Sequence, residues 1–282
     1  IKNDLHVPIV LPISIGVATT AAVVFISLSL YSLSSYQMFT ITLLGFLLPY
    51  GLLALHQIRE VNNVEKALPA FLRDITEFRK IGYEITKGVM RLARERRYNH
   101  SFDILLGDIA RQLEIGSRMK EVYIKTRSWL GRMTFHMLAE VVETGGGSPA
   151  LLETFTEFVD RIVVVKRETR ASMRLYEMLA YATPIALALS IGLMRVMMGQ
   201  FSGVLSSGSD IGILSAISAS PSPELVEGTY ILVIEAAFAV AILAAKAVDL
   251  TAKNTLKVAA NVAAGALAIL LSGSLIPLLV NF

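Results

Sequence analysis

Three groups of residues have types and spacings that could carry chemistry. Gly145-Gly146-Gly147-Ser148 has the glycine density of a phosphate loop, whose backbone N–H groups would cradle an anion. The trailing Gly-Lys-Ser/Thr of such a loop is absent, and a helix-patterned run precedes it rather than a strand. The stretch therefore reads as a turn between helices. His6, His56, His100 and His136 are scattered, with no HExxH and no second ligand at helical spacing, so no metal site is predicted from them. Without cysteine there is no thiolate zinc site, cysteine nucleophile or disulfide framework. Asp74, Glu140 and Glu143 lie near helix turns and could gather around a divalent cation; surface or capping carboxylates are the default reading. No Ser/His/Asp grouping stands out. The sequence predicts neither an enzyme nor a cofactor.

Charge says more. Arg91, Arg94, Arg96 and Arg97 crowd the end of one helix-patterned segment, and Lys166, Arg167, Arg170 and Arg174 crowd the approach to an apolar run. The second cluster suits a juxtamembrane collar on anionic lipid headgroups. The first lies away from the membrane junctions. A nucleic acid would match its sign, but basic-aromatic interleaving is absent, so an acidic face on a protein partner is the expectation. Arg195 and Glu235 fall inside apolar runs. Charges there are costly unless paired or facing water, so an Arg195–Glu235 ion pair between two spans is predicted. The competing reading has Arg195 snorkelling and Glu235 at headgroup level.

The elements that must position these residues follow from hydropathy. At 282 residues and 54% hydrophobic, with a mean hydropathy of +0.59, the chain suits a multi-spanning membrane protein. Five spans are expected: Val7 to about Tyr31, Met38 to Leu55, Leu175 to about Met198 with a kink at Pro184, Thr229 to about Val248, and Val258 to about Val280. Between the second and third lies a polar block, residues 57–174, holding 21 of the 26 Lys and Arg against 16 acids. The segment 199–228 carries Asp210, Glu224 and Glu227 and no Lys or Arg. Basic loops stay in the cytoplasm, so the block and the amino terminus are expected inside, and the 199–228 loop and carboxyl terminus outside. Three regions result: 1–56 with two spans, 57–174 in the cytoplasm, and 175–282 with three spans.

Inside the block, apolar stripes recur at helical spacing: Leu68, Phe71, Leu72, Ile75 and Phe78; Phe102, Leu105, Leu106, Ile109 and Leu113; Leu151, Leu152, Phe155, Phe158, Val159 and Ile162. Shorter stripes, including Met119, Val122 and Tyr123, alternate with them. FLRDITEFRKIG, ILLGDIARQLEIG and MLAEVVETGGG each run a helix into glycine. The reading is three helical hairpins packed as a six-helix bundle, in an all-α protein. The last helix opens at Ser148-Pro149 and has no stop signal before the third span. Ala236, Ala237, Ala244, Ala245, Ala259, Ala260, Ala263, Ala264, Gly265 and Gly273 suit close packing in the membrane, within the chain or between copies.

ALPAFLRDITEFRKIGYEITKGVMRLA, LLGDIARQLEIGSRMKEVYIKT, MLAEVVETGGGSPALLETFTEFV and KRETRASMRLYEMLAYATPIALALSIGLM resemble the type II secretion F domain, in the flavour of archaeal type IV pilus and archaellum platform proteins. The resemblance covers about 65–200. It implies a non-enzymatic platform in the plasma membrane whose cytoplasmic bundle engages a secretion ATPase and whose membrane part receives pilin-like subunits. Archaeal platforms usually carry two F-type halves. This chain has one and begins at Ile1, which suggests a carboxyl-terminal half, or a short platform of the tight-adherence type working as a pair or homo-oligomer. A transporter or channel subunit with a regulatory cytoplasmic domain is the alternative; it would want more polar residues in the spans than Arg195 and Glu235.

Overall fold

A computed structural model describes residues 10–29, 34–145, 147–206, 222–249, 251 and 253–280. The described residues form helices α1 (Val10–Ser29), α2 (Ser35–Lys80), α3 (Ile85–Glu95), α4 (His100–Glu114), α5 (Trp129–Glu143), α6 (Pro149–Ser172), α7 (Arg174–Ser206), α8 (Pro223–Asp249) and α9 (Thr255–Val280), and no strand. Two stretches expected to abut are joined. The second span and the first stripe of the polar block are one 46-residue helix, α2. Between α6 and α7 only Met173 leaves the helix. Among the described residues, four stretches are long and apolar enough to cross a bilayer: Ser35–Lys80, Pro149–Gln200, Glu224–Asp249 and Thr255–Gly273. The expected first span corresponds to α1, whose flanks at 7–9 and 30–31 lie outside the described residues, as does most of the 199–228 loop.

The chain divides into two compact units, Leu55–Ala171 and Val7–Ala54 with Ser172–Phe282. The first is built on Phe71, which is fully buried at the meeting of Phe102, Phe135 and Tyr98, with ring centroids 5.4, 5.4 and 6.2 Å away. Offset and edge-on rings at such spacings add about 0.5–1.5 kcal/mol per pair beyond burial. The helices stop where glycine was expected to stop them. Gly82 and Gly116 have φ of 82° and 100°. At each, the next residue's N–H reaches back five positions, Tyr83 to Phe78 (2.9 Å) and Ser117 to Gln112 (3.1 Å). The glycine N–H reaches back three, to Arg79 (3.0 Å) and Leu113 (3.1 Å). This double closure satisfies carbonyls that a helix end leaves open.

All three glycine turns gather at one end of this unit. Arg79 Nε donates to the Gly147 carbonyl (3.2 Å), Lys80 pairs with Glu153, and Lys120 bridges Glu140 (3.1 Å) and Glu143 (3.2 Å). The other end is marked by Asn99 Nδ2 donating to the Asn63 carbonyl (2.8 Å) and by Arg127 pairing with Glu60 (2.5 Å). The expected six helices are corrected to five. Residues 117–128 hold a turn and an extended strap where the second helix of the second hairpin was expected. Val122, Ile124, Thr126 and Ser128 point inward at period two, whereas Tyr123 and Lys125 are exposed. Gln112 clamps the strap: its Oε1 accepts from Tyr123 N (2.8 Å) and its Nε2 donates to Tyr123 O (3.1 Å).

In the second unit α7 buries Ala180, Pro184, Ala188 and Gly192, a row of short residues at every fourth position. Short side chains let helix axes approach closely where packing, not hydrophobicity, drives association. Ala188 packs with Tyr230, Val233 and Ile234 of α8 and Val262, Ala268 and Ile269 of α9, with Leu43, Leu44 and Leu47 of α2 alongside. Gly51 permits a close backbone approach: a Cβ there would fall 2.5 Å from the backbone nitrogen of Leu256. Beside it Thr255 Oγ1 donates to the Leu47 carbonyl (2.9 Å).

Candidate functional site

The FLRD motif ends in a charged cluster. Asp74 follows the core residues Phe71 and Leu72 by less than a turn, so its carboxylate sits at the edge of the core with 13% of its side chain exposed. Tyr98 Oη donates to Asp74 Oδ2 (2.5 Å), and Arg96 Nε pairs with the same oxygen (2.9 Å) while lying 5.7 Å over the Tyr98 ring. Burial first, and then the bond to Asp74, push the Tyr98 hydroxyl well above the ordinary tyrosine range. Tyr98 N also donates to Asp103 Oδ1 (3.0 Å), and Asn99 caps α4 by accepting from Phe102 N (3.0 Å). Asp74 and Asp103, with the Asn99 cap, thus fix the α3–α4 connection.

The first basic cluster is already engaged within the chain. Arg91 pairs with Glu95 (2.9 Å), Arg94 with Glu114 (2.6 Å) and Arg96 with Asp74. Arg97 is exposed and makes no ion pair among the described residues. The carboxylates weighed for a cation are not brought together. Asp74 faces Arg96, whereas Glu140 and Glu143 share Lys120, whose pKa their hydrogen bonds raise. Among the described residues no acidic or histidine cluster could hold a metal. Gly145 and Gly147 have φ of 105° and 60°, and Ser148 Oγ accepts from Leu151 N (3.2 Å) to start α6, so this stretch is a helix-capping turn; Gly146 lies outside the described residues.

In the second cluster Lys166 reaches into the bundle. Its Nζ lies 2.9 Å from Glu65 Oε1, with side-chain exposures of 25% and 7%. Ser128 Oγ donates to the same oxygen (3.3 Å) while accepting from Gly131 N (3.1 Å), so the pair also steadies the start of α5. Arg167 and Arg174 are exposed and Arg170 is half-buried.

In the membrane unit the expected Arg195–Glu235 pair does not form. Arg195 Nη1 donates to Tyr230 Oη (3.3 Å). Glu235 follows Tyr230 by five residues, about 140° around the helix at ~100° per residue, and is exposed on a different face. Depth was judged from sequence, but rotation decided the pairing. Reasoning from the sequence also missed Asn261, 1% exposed, whose Nδ2 donates to the Ala180 carbonyl (2.9 Å). That carbonyl lies four residues before Pro184, which has no N–H to offer it. A polar residue in an apolar run opposite a helical proline was the available signal. At the other end of α8, Lys257 pairs with Glu177 (2.9 Å) and Asp249 (3.2 Å).

Residues 71–199 match the family described as Type II secretion system (T2SS), protein F. No curated protein and no solved structure matches the chain. The matched range takes in Asp74 with Arg96 and Tyr98, all three glycine turns with their left-handed stops, and α7 as far as Gly199. Proteins of this family are platform components and not catalysts. An all-α chain whose long apolar helices suit association with a membrane is therefore similar, over residues 71–199, to a type II secretion F-type domain.

Proposed function

We propose that the chain is a platform protein of a type IV pilus-like, archaellum or type II secretion assembly machine in the plasma membrane. It couples a cytoplasmic secretion ATPase to insertion of pilin-like subunits into a filament. The match of residues 71–199 carries this reading, supported by apolar helices that flank or follow it. The bundle and the amino terminus lie in the cytoplasm and the carboxyl terminus outside, with five spans, which puts the basic loops inside. Arg167 and Arg174 rest on lipid headgroups.

The ATPase docks on the face that includes Arg91, Arg94 and Arg97. The first two are in exposed ion pairs, which are worth about 0–1 kcal/mol and are readily exchanged for an acidic partner, and Arg91 also lies over the Phe78 and Tyr83 rings. Arg96 belongs more to Asp74. Affinity capture of the full chain from its own cells should retain a secretion ATPase at low salt and release it at high salt. Arg91→Glu with Arg94→Glu and Arg97→Glu should lower capture about tenfold. Capture that ignores both salt and charge reversal would place the contact elsewhere, and recovery of a solute-transport subunit in place of an ATPase would overturn the platform role.

A further inference from the structure

In the first unit, residues of α2, α4, the strap and α5 line a cavity of about 540 Å³. That is the size of a small-molecule site and far larger than the voids of a close-packed interior. Val64, Leu105 and Val122, which belong to the core, and the exposed Ile104 lend it apolar surface.

The rest of the lining is rich in donors. Lys125, Arg127 and Arg132 bring three cations against two acids, and both acids are already engaged: Glu60 by Arg127 (2.5 Å), and Asp108 by Arg111, which is not in the lining. Lys125 is exposed and makes no ion pair among the described residues, whereas Arg91, Arg94, Lys120 and Lys166 each hold a carboxylate. Thr126 Oγ1 accepts from Ser128 N (3.2 Å), which leaves its O–H to donate. Ser101 adds a second hydroxyl and His136 an imidazole. The backbone N–H groups of Ile124 and Lys125 meet no acceptor among the described residues. A carboxylate, with two oxygens and a single charge, cannot occupy so many donors. A phosphoryl group presents three acceptor oxygens and about two charges, and the planar fork of arginine matches it.

We propose that this cavity binds the phosphate group of a small ligand. Lys125, Arg127 and Arg132 are its cationic contacts, and the apolar lining carries the rest of the ligand. Arg127 keeps Glu60 and still has further N–H groups to offer. A nucleotide and an anionic lipid headgroup share this chemistry, and experiment separates them. The inference rests on the cavity and not on a secretion role, so ATPase capture and phosphate binding can fail separately.

The chain's one tryptophan, Trp129, lies two residues after Arg127 and three before Arg132, so its emission reports on the site. The full chain in detergent is titrated with pyrophosphate and with ADP while this emission is followed. Equilibrium dialysis of radiolabelled pyrophosphate counts binding independently of the fluorescence. Both probes should bind saturably and compete with one another. Lys125→Glu, at an exposed position, should weaken pyrophosphate about tenfold. Lys87→Glu, which reverses an exposed lysine of α3 outside the lining, should leave binding unchanged. In a lipid arm, vesicles of phosphatidylcholine with and without phosphatidic acid replace the soluble probes. Binding of phosphatidic acid that Lys125→Glu abolishes, with none of pyrophosphate, assigns the phosphate to a lipid. Absence of saturable binding of pyrophosphate, ADP and phosphatidic acid, or binding as strong in Lys125→Glu as in Lys87→Glu, overturns the proposal.

Discussion

At the scale of single residues, the first unit depends on two carboxylates, each serving several donors. Glu65 holds Lys166 and Ser128 from within the bundle. Removing one member of a buried pair costs ~3–5 kcal/mol; the partial exposure of Lys166 places Glu65→Ala at about 2–3 kcal/mol. A lowered melting temperature of the detergent-solubilised chain should show this, with much of the loss recovered when Lys166→Met accompanies Glu65→Met. Asp74 holds Arg96 and Tyr98. Because the folded state raises the Tyr98 pKa, the neutral phenol's contribution is complete below about pH 10 and disappears as pH rises through the folded value. Tyr98→Phe should therefore cost about 1.5–3 kcal/mol at neutral pH and remove part of the alkaline unfolding limb, followed by tyrosinate absorbance. Asp74 and the arginines were legible in the sequence as charges. Their pairing was not, because Asp74 and Arg96 are brought together only when α3 folds back on α2.

At the scale of elements, legibility depended on which periodicity a stretch carried. The helices with four or more apolar residues on one face, and the glycines that stop them, were readable because local chemistry decides both. Residues 119–123 misled: Met119, Val122 and Tyr123 match a helical spacing, yet the alternation of Val122, Ile124 and Thr126 is equally clear and the β-branched residues favour it. Only Met119 and Val122 are buried, as an extended strap requires. Pro184 of α7 and Asn261 of α9 form one device. Asn261→Leu should cost about 1–3 kcal/mol by orphaning the Ala180 carbonyl. In a Pro184→Ala background, where residue 184 regains an N–H, the same change should cost much less; melting temperatures of the four chains give the coupling. A cost unchanged by Pro184→Ala would mean that Asn261 acts through packing alone.

At the scale of the whole molecule, the alternation of apolar and basic stretches was readable from composition, since a bilayer constrains length and charge more strictly than water does. The same constraint makes the proposed topology testable with single cysteines in a chain that has none. Lys125→Cys should react with a membrane-impermeant maleimide only after the cells are opened, and Ser207→Cys in intact cells; the reverse pattern would invert the topology. The strap after α4 has a consequence of another kind. It is a seam: backbone outside any helix, with exposed Tyr123 and Lys125, between segments that are otherwise locked together by Phe71, Phe102 and Phe135. Segments of this sort accept cuts and insertions that helices refuse. A brief digestion with trypsin should nick the chain first near Lys125, and two genes encoding residues 1–123 and 124–282 should yield pieces that find one another. The protein can thus be assembled from halves at a place unrelated to its membrane boundaries.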